Sequence, residues 1–264
     1  MNAFCISRRV IMPAALVALI AAAAMGQAGS QPQSHRESPP ASPPASHPNQ
    51  PKPDDAAPLA YVLMKTSKGD IVLELNREKA PITVTNFMSY VDKEFYDGTI
   101  FHRIVTRGIS VIQGGGFTAD MTQKATDPEI RNEWGNGLLN QRGTISMARR
   151  QPPDSATSQF FINVHDNPSL DGPGGSIGYA VFGKVVAGMK VVEDIQSVPT
   201  GAKPVAIPEA PGGVVNFQGV PLEPVTITTA KRLTPEEAHK YIEADTPAGT
   251  KPAASQPTTT RPGH

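Results

Sequence analysis

Apolar residues recur along the chain with two periods, and the switches between them divide it into elements. Residues 61–66 and 71–75 are short runs rich in Val, Leu and Ile, separated by Ser67-Lys68-Gly69-Asp70, the pattern of two strands joined as a hairpin. The period then lengthens. Pro81 stands where a first helical turn tolerates proline, and Val84, Phe87, Met88, Val91 and Phe95 follow the i, i+3, i+4, i+7 spacing of one buried helix face. Tyr96-Asp97-Gly98 ends that helix and leads into a strand through residue 104. Strands resume at residues 144–148, 158–164 and 179–186, with polar or glycine-rich loops between them, one of which the lone Trp134 is expected to pin. A second helix is expected over 189–198, with Val191, Val192, Ile195 and Val198 on one face, then loop over 199–224 and a last strand at 225–230. No internal repeat is visible. The pattern predicts one mostly β, mostly antiparallel domain with two helices over residues 59–233, and many short strands with few helices favour a closed barrel.

The two ends differ in kind from this domain. Arg8 and Arg9 precede an apolar run at 10–24 broken only by Pro13, and small residues follow it, so residues 1–26 read as a signal peptide. A run of this length is short for a membrane-spanning helix, which needs about 20 residues. Ser7-Arg8-Arg9-Val10-Ile11 also has the form of a twin-arginine signal. The expectation is an exported, periplasmic or cell-envelope protein without stable membrane insertion once the signal is cleaved. Residues 27–58 are a Pro-rich disordered linker, and residues 234–264 form a polar Pro/Thr-rich tail with a short charged helix candidate at 235–244. The 24 basic and 24 acidic residues balance, so no global field draws in nucleic acid. The one cysteine, Cys5, lies inside the signal, which leaves the mature chain no disulfide, thiolate nucleophile or cysteine metal site.

The stretch Gly98-Thr99-Ile100-Phe101-His102-Arg103-Ile104 carries the domain's most unusual residue. Arg103 holds a charge it cannot lose among β-branched and aromatic strand residues, and Gln113-Gly114-Gly115-Gly116-Phe117 follows. Conventional catalysts are scarce. The domain's two histidines, His102 and His165, have neither metal-ligand spacing nor a neighbouring nucleophile, so no metal is indicated and a hydrolase is disfavoured. Residues 108–112 lack the second glycine of a nucleophile elbow, and the triple glycine lacks the Lys-Ser/Thr of a phosphate loop. No cofactor is indicated either. A fixed cation, an amide and apolar strand residues suit holding a peptide better than breaking one.

Five segments in order, Phe101-His102-Arg103-Ile104, Gln113 to Phe117, Gly143 to Ala148, Ser158 to Asn163 and Gly178 to Val185, resemble the motifs of cyclophilin-type peptidyl-prolyl cis-trans isomerases, bacterial periplasmic members above all. The resemblance implies a closed eight-stranded antiparallel β-barrel capped by two α-helices. It implies isomerisation of X-Pro bonds during folding of exported proteins, by a monomer whose partners are proline-containing segments of unfolded or folding chains. By the same resemblance Arg103 is the donor to the twisted amide and Gln113 the substrate-backbone anchor. Phe161 and Leu170 wall the proline pocket, Ala148 and Gln159 line the groove, His102 lies beside it, and Tyr179 stands where eukaryotic members have histidine. The chain departs from the family between Arg103 and Gln113, where residues 104–112 are two more than usual and the pocket phenylalanine is missing. Counted back from Gln113, Ser110 takes its place and Val111 that of the usual methionine. A two-residue bulge would instead bring Ile109 into the pocket, because a shift of two keeps side chains on the same face. The altered segment keeps a second function open, a proline-peptide-binding or chaperone module with weak or no turnover.

Overall fold

The computed structural model describes residues 57–206 and 213–246. The expected signal peptide, nearly all of the linker and the end of the tail lie outside the described residues.

The alternating segments form β1 (Leu59–Thr66), β2 (Gly69–Asn76), β3 (Thr99–Val105), β4 (Val111–Thr118), β5 (Thr144–Met147), β6 (Phe160–Asn163) and β7 (Val181–Ala187). A hairpin, β8 (Thr200–Ala206) and β9 (Val214–Pro221), precedes β10 (Ile227–Leu233). Eight strands make one antiparallel sheet in the order β10-β1-β2-β7-β5-β6-β4-β3. The expected closed barrel is not formed. Its end strands meet only at an isolated Ile100–Thr226 bridge, with the amides of Gly98 and Phe101 donating to the Ile227 and Val225 carbonyls. The sheet is therefore a curled, open half-barrel. Two register breaks of β3 against β4, after Thr99 and after Phe101, add twist at that edge and end the regular ladder.

Residues 199–224, expected as loop, contain the β8–β9 hairpin in their described part. Pro204, Pro221 and two glycines hide its strand character in the sequence, but a two-stranded ribbon tolerates proline because its outer backbone groups need no partner. Val205, Phe217 and Val220 bury against Ile100, Phe117 and Met121 in a second apolar cluster. The hairpin lies against β3 so closely that a Cβ at Gly219 would stand 2.2 Å from the Ile104 carbonyl oxygen.

Helix α1 (Pro81–Asp92) buries Val84, Phe87, Met88 and Val91, four of the five stripe residues, while Phe95 packs on the core beyond the helix end. Phe87 meets Tyr96, Phe160 and Phe182 with ring centroids 4.9–5.7 Å apart, an aromatic plug inside the curled sheet. Ala80 offers α1 no side-chain cap. Glu133 supplies one from a distant loop, accepting from the amides of Ile82 and Thr83 and from the Thr83 hydroxyl at 2.7–3.0 Å. Helix α2 (Met189–Gln196) turns Val192 and Ile195 to the core, with Val191 and Val198 partly buried against it. The charged helix candidate is α3 (Pro235–Asp245), opened by a capping box of Thr234 and Glu237. It buries Ala238 and packs Tyr241 against the cluster of Leu63, Val72, Ala187 and Leu233, and Asp245 accepts from the Gly188 amide at 2.9 Å.

Candidate active site

Three neighbouring strands bring the site's polar and apolar parts together. Arg103 on β3 is paired in register with Gln113 on β4, and Gln113 is paired in turn with Phe161 on β6. Beside this row Val111, Phe161 and Leu170 form a buried apolar cluster, with Val105, Ile109, Ala148 and Tyr179 packed around it. Thus Ile109, Val111, Ala148, Phe161, Leu170 and Tyr179, each singled out in the sequence, share one slot. Val105 joins them unforeseen. Its position two residues after Arg103, on the same face of β3, is the signal that pointed to it.

The triple glycine explains how β4 can run here. A Cβ at Gly115, whose φ is +81°, would stand 2.7 Å from the Phe160 ring, and one at Gly116 would stand 2.6 Å from the Gln159 side chain. These positions admit only glycine, and the room left beside Gly116 is filled by Gln159. Gln159 accepts from the Gln113 amide nitrogen at 3.0 Å, which orients the Gln113 side chain.

Of the two alignments open for the long segment, the structure has Ile109 in the slot. Ser110 faces the other way, with its hydroxyl accepting from Gln196 of α2. Its amide donates to Asn167 Oδ1 at 2.9 Å, and its carbonyl accepts from Asn167 Nδ2 at 3.1 Å. Asn167 belongs to a buried network that no local sequence pattern announces. Its Nδ2 also donates to Asn163 Oδ1 at 2.7 Å, Asn163 donates to Asn140, and Asn140 donates through backbone and side chain to Asp171 at 2.7 Å. The network ties the turn that carries Ile109 to the short helical turn Pro168–Leu170 that carries Leu170.

The Arg103 guanidinium is half-buried, and among the described residues no hydrogen bond or ion pair engages it. Loss of solvent lowers its pKa, and nearby Tyr179 partly restores it, so it stays a cation. His102 is fully buried, its ring 4.7 Å from that of Phe117 and 6.3 Å from that of Phe217 on the hairpin. Among the described residues neither ring nitrogen has a well-formed hydrogen bond. Burial, and then the charge of Arg103, push its pKa from 6.5 down to about 3, so the ring is neutral. Trp134 lies against the 172–178 loop, where a Cβ on Gly172 would come within 2.9 Å of its ring. Among the described residues no group of His, Cys, Asp or Glu is arranged to hold a metal. The arrangement offers an apolar slot, an oriented amide and an unengaged cation, which together can bind and polarise a peptide.

The model of the cyclophilin type peptidyl-prolyl cis-trans isomerases matches residues 61–232. The chain belongs to the cyclophilin family. This cyclophilin is 52% identical over 171 residues to peptidyl-prolyl cis-trans isomerase A of Dickeya dadantii, a match covering 65% of this chain and 83% of the relative. It is 50% identical to a peptidyl-prolyl cis-trans isomerase of Acinetobacter baylyi, over 64% of this chain and 84% of the other. A cyclophilin type isomerase of Cryptosporidium parvum, 24% identical, shares the fold with a TM-score of 0.54, over 67% of this chain and 98% of that one. A further structure of that protein, determined in the presence of the dipeptide Ala-Pro, matches with a TM-score of 0.53. This cyclophilin is accordingly a peptidyl-prolyl cis-trans isomerase.

Proposed function

We propose that this cyclophilin isomerises X-Pro bonds by binding the twisted amide more tightly than either planar form, with Arg103 as the electrostatic donor. Partial double-bond character opposes the rotation by about 18–20 kcal/mol, and an unaided X-Pro bond takes tens to hundreds of seconds. No covalent intermediate is needed, only stronger binding of the state in which conjugation is broken. In that state the proline nitrogen gains a lone pair, which a guanidinium N–H can stabilise. The proline ring enters the slot of Val111, Phe161 and Leu170, with Ile109 supplying apolar contact where the family's pocket aromatic is missing. Gln113, held by Gln159, bonds the substrate backbone and keeps it across Arg103. Ala-Pro, present with a protein of the same fold, carries the group this slot suits.

The observation that carries this reading is the half-buried, unengaged Arg103 guanidinium in register with Gln113 beside the apolar slot. A partly desolvated charge acts more strongly than one in water, and it needs no reorganisation as the amide twists. Replacing Arg103 with alanine is expected to lower kcat/KM on a proline tetrapeptide by about 10²–10³-fold with the circular dichroism spectrum unchanged. A folded variant with the wild-type rate would overturn the assignment.

The protein is exported and serves proteins folding in the periplasm or cell envelope. The basic and apolar pattern of residues 1–26 supports this. N-terminal sequencing of protein from the envelope fraction is expected to begin after residue 24. A chain beginning at Met1 in the cytosol would refute export.

A further inference from the structure

The slot has a second guanidinium on its rim, and the isomerisation chemistry does not use it. Arg149 follows Ala148, and its side chain is clamped by carbonyls of two loops. It donates to Gly178 at 3.4 Å and Ile177 at 2.6 Å on one loop, and to Arg150 at 3.0 Å and Gln151 at 3.3 Å on its own. The guanidinium lies 4.7 Å over the Tyr179 ring, which meets Phe161 edge-on at 5.5 Å. One aromatic ring at the slot thus carries a guanidinium on its face, and Arg103 lies on the neighbouring strand row that Phe161 completes.

Carbonyl groups satisfy the N–H donors of Arg149 but leave its net charge in place. Carboxylates on the surrounding segments are turned elsewhere. Glu129 pairs with Arg150, Asp154 accepts from the Asn132 amide, and Asp171 accepts from Asn140. Among the described residues none forms an ion pair with Arg103 or Arg149. Arg107, exposed in the turn that carries Ile109, adds a third cation. The rim is positive on a chain whose formal net charge is zero.

We infer that Arg149, with Arg103 and Arg107, selects X-Pro segments carrying an acidic side chain within about three residues of the proline. The reach follows from geometry, since each residue of extended peptide spans about 3.5 Å and Arg149 stands one ring beyond Phe161. This inference rests on the slot being the proline pocket. A purely structural clamp would affect all substrates alike, whereas a charge selector discriminates among them.

The test uses matched peptides with Glu, Gln or Lys at each of the three positions on either side of one proline, with turnover read by exchange NMR. In wild type the Glu peptide is expected to exceed the Lys peptide in kcat/KM by about three- to fivefold at one or more positions, the size of a half-exposed charge pair. The difference should shrink in about 0.5 M salt, where screening acts within a few ångströms. Arg149→Gln should abolish most of the preference and Arg149→Lys retain it. Equal turnover of the three peptides at every position, or a preference unchanged in folded Arg149→Gln, would overturn the inference. Salt dependence in wild type decides the matter if that variant does not fold. Wild-type turnover of the Gln peptide reports separately on the proline-pocket reading.

Discussion

Replacing Asn167 with leucine probes how the long segment between Arg103 and Gln113 is held. Asn167 is 3% exposed, and one side-chain amide serves four groups: the amide and carbonyl of Ser110, Asn163 Oδ1, and the His165 carbonyl. Leucine has the same branching and number of heavy atoms, though its methyl groups are bulkier, and it neither donates nor accepts. The Ser110 carbonyl keeps a bond from the Val164 amide, so its loss is small. The Ser110 amide and Asn163 Oδ1 lose the partners they have in Asn167, at about 1–3 kcal/mol each. The expected loss is therefore roughly 2–6 kcal/mol, a large part of the 5–15 kcal/mol that holds a typical domain. The turn carrying Ile109 loses its anchor to the turn carrying Leu170, so the slot loosens while Arg103 keeps its strand pairing. Urea unfolding should show the lower stability, and a short proline peptide should show a raised KM with a smaller change in kcat. Asn167→Asp adds a pH signature. Its carboxylate would face three acceptors, which raises its pKa, so the folded state is favoured by protonation and loses stability as pH rises through that value. Compared with wild type at each pH, this variant should be least impaired near pH 4 and most impaired at neutrality. A leucine variant within about 0.5 kcal/mol of wild type and with unchanged KM would refute the network's role.

His102 gives the wild-type protein its own pH dependence. Its folded pKa is about 3 against an ordinary 6.5, so between these values the unfolded chain binds the extra proton. The stabilisation is full above pH 6.5 and is lost as pH falls toward 3, by up to roughly 1.4 kcal/mol per pH unit. Urea midpoints from pH 7 to pH 4 should fall more steeply for wild type than for His102→Gln, and parallel slopes would contradict the assignment. Glu133→Ala should cost about 1–2 kcal/mol by uncapping α1, with Glu133→Gln intermediate. A urea midpoint unmoved in the alanine variant would show the cap to be idle.

What was legible in the sequence is what repeats with a short period. The α1 stripe, the β1–β2 turn and the short apolar runs of β6 and β7 each carry their signal within a few residues. The grouping of Arg103 with Gln113 and Phe161 was legible only as a family pattern, since register between strands far apart in sequence leaves no local trace. The β8–β9 hairpin was hidden by prolines and glycines that an edge ribbon tolerates. Barrel closure is not legible from strand count, since the β3–β4 ladder at the sheet's edge is broken by two register shifts, one on each strand. Most opaque was the Asn140, Asn163, Asn167 and Asp171 network, whose hydrogen bonds join residues up to 57 positions apart.

That network also explains how the chain accommodates its unusual segment. Ile109, in the turn before β4, and Val111, at the start of β4, both reach the slot. Ser110 between them must point away, into a region where an unpaired hydroxyl and peptide would be costly. Asn167 satisfies its backbone and Gln196 its hydroxyl. Two extra residues therefore preserve the facing of the pocket provided the outward residue is polar and has partners waiting. An apolar residue at 110 would keep the same alternation but leave Gln196 without its hydroxyl partner. Ser110→Val should accordingly destabilise the turn even though the slot itself is untouched, which separates the support of the pocket from its lining.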